Sequence, residues 1–178
     1  MKQLKEFTIQ FVGLKLGEHS FDYNINKAFF EVFEYDEFND ANVNVNVKLN
    51  KKTTLLELHY AATGSVNVNC DLTNESYDQD ITNSFDVVVK FGDEFNNENE
   101  DILILPHGEY ELNIAQYIYE LIALAVPSKR IHPGVIDGTL DSDILDKLKE
   151  LSPKLDKKNK DQDIDPRWNT LKKLLTDK

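Results

Sequence analysis

Four histidines and one cysteine are the side chains of this 178-residue chain best suited to metal or nucleophilic chemistry, and their spacing limits what they can do. His19, His59, His107 and His132 are scattered, with no pair at the i, i+4 spacing that turns two imidazoles toward one metal. Cys70 stands in SVNVNCDLTN, residues 65–74. A zinc or dithiol site needs a second thiolate at Cys-x-x-Cys spacing, and Thr73 stands there instead. Val66, Val68 and Cys70 share one face of an alternating stretch, so the thiol points where the valines point. A free cysteine placed so behaves as a small hydrophobe, which makes Cys70 structural. No Gly-x-Ser-x-Gly elbow and no phosphate-cradling glycine loop is present, and seven glycines leave little material for one. Carboxylates are so abundant that chance pairs carry no information. These residues predict a protein that is not an enzyme and needs no cofactor or metal.

Charge says more about partners. The chain carries 20 Lys and Arg against 32 Asp and Glu, a net of -12. Residues 1–140 hold 10 against 23, a net of -13, and residues 141–178 hold 10 against 9, a net of +1. An acidic body repels a phosphate backbone, so non-specific nucleic-acid binding by the whole surface is disfavoured and a basic protein partner is easier to accommodate. The basic minority that could reach RNA is Lys129, Arg130 and His132, with Lys154, Lys157, Lys158 and Lys160 further on. No apolar run reaches the roughly 18 residues of a membrane helix, and the first residues lack a signal-peptide core. The expectation is a cytoplasmic protein with no membrane contact and no small-molecule substrate.

The elements that must position these residues follow from periodicity. Val43, Val45, Val47 and Leu49 alternate with polar residues, as do Leu56, Leu58 and Tyr60, which predicts a hairpin. Val66 to Cys70 and Phe85 to Phe91 read as further strands, with FTIQF and SFDYNI as two more near the start. NKAFFEVFEY fits either a strand or a short helix. GDEFNNENED, 92–101, reads as a loop. The period then changes: Ile114, Tyr117, Ile118, Leu121, Ile122 and Ala125 form one face of a helix over 114–126. Asn113 and Gln116 are placed for a reciprocal cap, and Pro127 for a stop. Ile144, Leu145, Leu148 and Leu151 suggest a short helix. A charged linker, KLDKKNKDQDID, leads to DPRWNTLKKLL, a helix with an Asp cap and a Pro at its first position. The architecture expected is α+β: a mostly antiparallel sheet with the 114–126 helix packed on it, and short C-terminal helices. The domain organisation expected is a body over 1–135 and a helical tail with its charged linker over 136–178.

Three stretches in order carry a resemblance. GSVNVNCDLTN, NIAQYIYELIALAVPSKRIHPG and DPRWNTLKKLL resemble the YceD-like family of large ribosomal RNA subunit accumulation proteins, found in bacteria and plastids. Its members show a Gly-led strand ending in Cys-x-Arg-Cys-Leu, a later helix with a glutamate and a Leu-x-x-Pro-like end, and a closing Asp-Pro-Arg with a leucine helix. Gly64, Val66, Val68 and Cys70 match the strand; Glu120, Leu124 and Pro127 match the helix; Asp165, Pro166, Arg167 and Leu171 match the close. Leu72 and Thr73 depart from the family's Arg and second Cys. SKRIHPGVIDG lacks the cysteine-rich stretch that follows the proline in many relatives and resembles the other half of a zinc site.

The resemblance, over roughly 60–178, implies a non-enzymatic factor in large ribosomal subunit biogenesis, needed for accumulation of large-subunit ribosomal RNA. The partners it implies are ribosomal RNA, basic ribosomal proteins of the large subunit, or both. The alternative is an acidic module or chaperone that binds a basic ribosomal protein with no direct RNA contact, which the charge balance favours.

Overall fold

The computed structural model describes residues 2–99 and 101–152. In chain order its strands are β1 (Thr8–Ile9), β2 (Gly17–Asn26), β3 (Asp40–Lys51), β4 (Leu55–Asn69), β5 (Ser76–Gly92), β6 (Asn96–Asn99), β7 (Ile102–Pro106) and β8 (Leu112–Asn113). Its helices are α1 (Lys27–Glu31), α2 (Ala115–Ala123), α3 (Pro133–Ile136) and α4 (Asp143–Leu151), with 3-10 turns at Lys2–Phe7 and Phe11–Gly13. The chain divides into two units, Met1–Asp141 and Ser142–Lys178.

The alternating stretches build a six-stranded sheet of order β2-β3-β4-β5-β7-β6. Only β5 and β7 run parallel, and every other pair is antiparallel. Residues of one parity, among them Val43, Val45, Val47, Leu56, Leu58, Tyr60, Val66 and Val68, are buried; those of the other parity face solvent. A one-residue slip would turn the whole valine set outward, so the pairing Val47↔Tyr60 fixes the register. α2 lays Ile118, Leu121 and Ile122 on β4 and β5. The expected α+β architecture is the one found.

Several local expectations change. β4 runs without a break through Gly64, so the two apparent strands around it are one. FTIQF contributes only the two residues of β1, which pair with β8 between the 3-10 turns. NKAFFEVFEY forms α1, started by the Asn26 side chain accepting the Ala28 N–H, and its rings Phe29, Phe30 and Phe33 pack with Phe38 and Tyr119. The 92–101 stretch is corrected from loop to edge strand over Asn96–Asn99. All four side chains of β6 are exposed, so an edge strand here needs no apolar residue and leaves no alternation to read. α2 ends at Ala123, short of Pro127. Asn113 Oδ1 does accept the Ala115 N–H, but Gln116 donates to Glu120 at 2.7 Å instead of reaching back. α3 was not anticipated.

In the second unit, α4 forms where the Ile144, Leu145, Leu148 and Leu151 spacing predicted it. The helix expected over DPRWNTLKKLL lies outside the described residues. No described helix is long and apolar enough to cross a membrane.

Candidate functional site

Two of the stretches that carry the resemblance, the turn at Cys70 and the segment after α2, meet at one corner of the first unit. β4 ends at Asn69, and the chain turns through Cys70–Glu75 to begin β5. That turn is closed by the Cys70 N–H donating to Glu75 O and the Asn74 N–H to Cys70 O, both at 2.8 Å. Asn74 takes a left-handed φ of 59°, which asparagine tolerates better than most residues. The segment after α2 then crosses this turn. Asp71 N–H donates to Arg130 O at 2.8 Å, and Arg130 N–H donates to Asp71 Oδ2 at 2.7 Å. The Arg130 guanidinium reaches Glu37 Oε2 at 2.8 Å and lies 3.5 Å from Asp71 Oδ1. One arginine thus ties together the segment after α1, the turn after β4 and the segment after α2.

Cys70 sits beneath this clamp. It is buried, as its place in the alternation predicted, but it is more than a hydrophobe. Its Sγ accepts the His132 N–H at 3.3 Å. Burial pushes the thiol pKa up; hydrogen bonds from the His132 backbone, the Thr73 hydroxyl and the amides of Leu72 and Thr73 outweigh that and leave it below its ordinary value. His132 Nδ1 in turn accepts the Gly134 N–H at 2.9 Å and caps α3, and its ring meets Tyr77 edge-on at 5.3 Å. Thr73, where the family carries its second cysteine, is itself buried. A zinc site needs about four ligands, and among the described residues no three His, Cys, Asp or Glu side chains are grouped to hold an ion. This donor set does not fit zinc.

The candidate RNA contacts therefore separate. Arg130 is engaged by two carboxylates and His132 by the fold, while Lys129 is exposed beside them. Lys157, Lys158 and Lys160 lie outside the described residues, as do Asp165, Pro166 and Arg167. Glu120 and Pro127 are exposed, and Gly64 lies within β4. Sequence reading missed Glu37 and Asp71 as the partners of Arg130; among so many carboxylates nothing in the sequence marks these two.

Two lysines elsewhere in the body are also engaged. Lys51 Nζ donates to the carbonyls of Phe11, Val12 and Leu14 at 2.8, 3.2 and 2.9 Å, and Lys52 pairs with Glu57. The solvent face of β2–β5 is acidic and rich in amides. Asn46 donates to Ser20 and Asp22, Asn24 to Asn44, and Asn67 to Asp78 across the strands. Such a surface presents carboxylate and amide oxygens, which suit cationic partners and repel phosphate.

A family model, that of the large ribosomal RNA subunit accumulation protein YceD, matches residues 58–175. The chain belongs to this family. The match takes in most of β4, the Cys70 turn, α2 and the segment that crosses the turn, so the corner described above lies inside the family region except for Glu37. No curated protein and no solved structure gives a match.

Proposed function

We propose that this protein is a non-enzymatic factor in large ribosomal subunit biogenesis, required for large-subunit ribosomal RNA to accumulate, and that it acts by holding a basic ribosomal protein. Family membership supports the process. The observation that carries the mode of action is the charge of the body: residues 1–140 hold 23 Asp and Glu against 10 Lys and Arg, and three of those cations, Arg130, Lys51 and Lys52, are tied to acceptors within the body. A basic segment that will later meet RNA is complementary in charge to an acidic surface, and such a body supplies one.

The second reading is direct RNA contact through Lys129 with Lys157, Lys158 and Lys160. Four phosphate contacts on a single strand predict a log affinity against log salt slope of about -3, from roughly 0.7 per contact.

Affinity capture of the full chain from cell extract, with and without nuclease, separates the two. Recovery of basic large-subunit proteins that survives nuclease is the expected result. Recovery of ribosomal RNA alone, lost when the four lysines are changed to alanine, would overturn protein binding in favour of RNA.

A further inference from the structure

The acidic surface alone does not say where a partner sits. A groove of about 620 Å³ does. It lies between α2 and the hairpin of β6 and β7, and its volume falls within the roughly 300–1,000 Å³ of ordinary ligand clefts. Phe85, Leu103, Leu112, Tyr117 and Leu121 are among its lining residues, and Phe95 and Leu124 stand at it 58% and 80% exposed. Leu124 falls off the core-facing stripe of α2, and Phe95 is a lone aromatic in a polar, acidic stretch. Neither is explained by packing within the body.

The groove is also charged in one sense. Asp101 and Glu120 line it with the amides Asn97, Asn99 and Gln116, and among the described residues no lysine or arginine does. The solvent face of β2–β5 holds more carboxylates but offers few apolar anchors, and its amides are engaged with each other and with neighbouring carboxylates. Binding energy concentrates where a bulky side chain leaves water, with charges at the rim steering the approach.

We infer that this groove is the docking site for a lysine- and arginine-rich segment of a partner protein, one that inserts a leucine or aromatic side chain between Phe95 and Leu124 while its cations meet Asp101 and Glu120. This deepens the protein-holding reading and rests on it. A second copy of the chain fits poorly, because it would bring its own net negative charge to the same acidic rim.

The test uses two labelled peptides. One repeats Lys-Arg-Leu and Lys-Arg-Phe; the other has each Leu and Phe replaced by Ser. The full chain should bind the first at least tenfold more tightly. Leu124→Asp and Phe95→Asp should each remove most of that preference while leaving thermal unfolding unchanged, since both side chains are exposed. Glu120→Lys combined with Asp101→Lys should weaken both peptides and flatten the salt dependence. Equal affinity for the two peptides, or unchanged binding by the aspartate variants, overturns the proposal.

A photo-crosslinking residue at position 124, with Asn44 on the open sheet face as the control position, tests it in cells. Crosslinks from 124 to basic large-subunit proteins support the groove. Crosslinks from 44 alone to those proteins overturn the groove and leave the protein-holding reading standing. Crosslinks from 124 only to RNA, to a second copy or to residues 153–178 of the same chain overturn the groove assignment. Nuclease-sensitive capture of RNA alone overturns the reading beneath it.

Discussion

Asp71 and Arg130, 59 residues apart, bond each other reciprocally through their backbones and side chains: each donates its N–H, one to a carbonyl and the other to a carboxylate. This is the relationship that holds the family-like corner shut. It joins the turn after β4, which keeps Cys70 but has Thr73 at the second motif position, to the segment after α2, which has no cysteine.

The corner should therefore stand without metal. Arg130→Ala removes the guanidinium from Glu37 and Asp71 together and should lower stability by about 1–2 kcal/mol, a charge-assisted bond discounted for partial exposure. Treatment with a chelator should leave the unfolding midpoint of the parent where it was. Elemental analysis finding about one zinc per chain would sink the idea that an ion pair holds the corner.

Cys70 should tolerate serine better than valine. Valine matches the apolar surroundings but leaves the His132 N–H without its acceptor, at a cost of about 1–3 kcal/mol for a stranded buried donor. Serine keeps an acceptor at the price of a shorter reach. Denaturant midpoints that rank valine above serine would show that the sulfur's hydrogen bond contributes little.

Gly64, the glycine of the family pattern, has a reason on the backbone. A Cβ there would lie 2.3 Å from Asn42 O and 2.7 Å from Val43 Cα, both main-chain atoms of β3, at a φ of +155°. No rotamer change relieves that contact, so the β3–β4 pairing itself must shift. Gly64→Ala should cost about 3 kcal/mol, read from the denaturant midpoint, with neighbouring amides of β3 losing protection from hydrogen exchange.

The sequence was most legible where one rule acted alone. Alternation of valine with asparagine marks β3 because one side of it is core and the other water, and period alone separates the two. It failed at β6, whose four polar residues are all exposed and leave no period to detect. At Arg130 the sequence shows basic neighbours, Lys129 and His132, while its neighbours in space are Glu37 and Asp71, 93 and 59 positions away. Local composition carries no record of such pairings. Leu124 and Phe95 did carry a signal, Leu124 as an apolar residue off the Ile114–Ala125 stripe and Phe95 as a lone aromatic in a polar stretch, yet only the fold shows that they border one groove.

Tyr60 offers the last test, of stability against pH. It is fully buried among Phe85 and Tyr117, and its hydroxyl has no hydrogen-bond partner among the described residues. Burial, with Tyr117 and Tyr23 nearby, raises its pKa well above the ordinary 10.0. Burial likewise raises Tyr117, with Glu120 adding, and Tyr23, with Glu6 adding. A phenol whose folded pKa is raised contributes stability that is whole below its unfolded pKa and lost as pH climbs from there toward the folded value. The protein should accordingly lose stability above about pH 10, with tyrosinate absorbance and unfolding rising together. Tyr60→Phe deletes both the unpaired hydroxyl and the group that must ionise. It should raise stability at neutral pH by about 1 kcal/mol and move the alkaline transition upward. A variant less stable than the parent at neutral pH would mean that the Tyr60 hydroxyl is satisfied in solution.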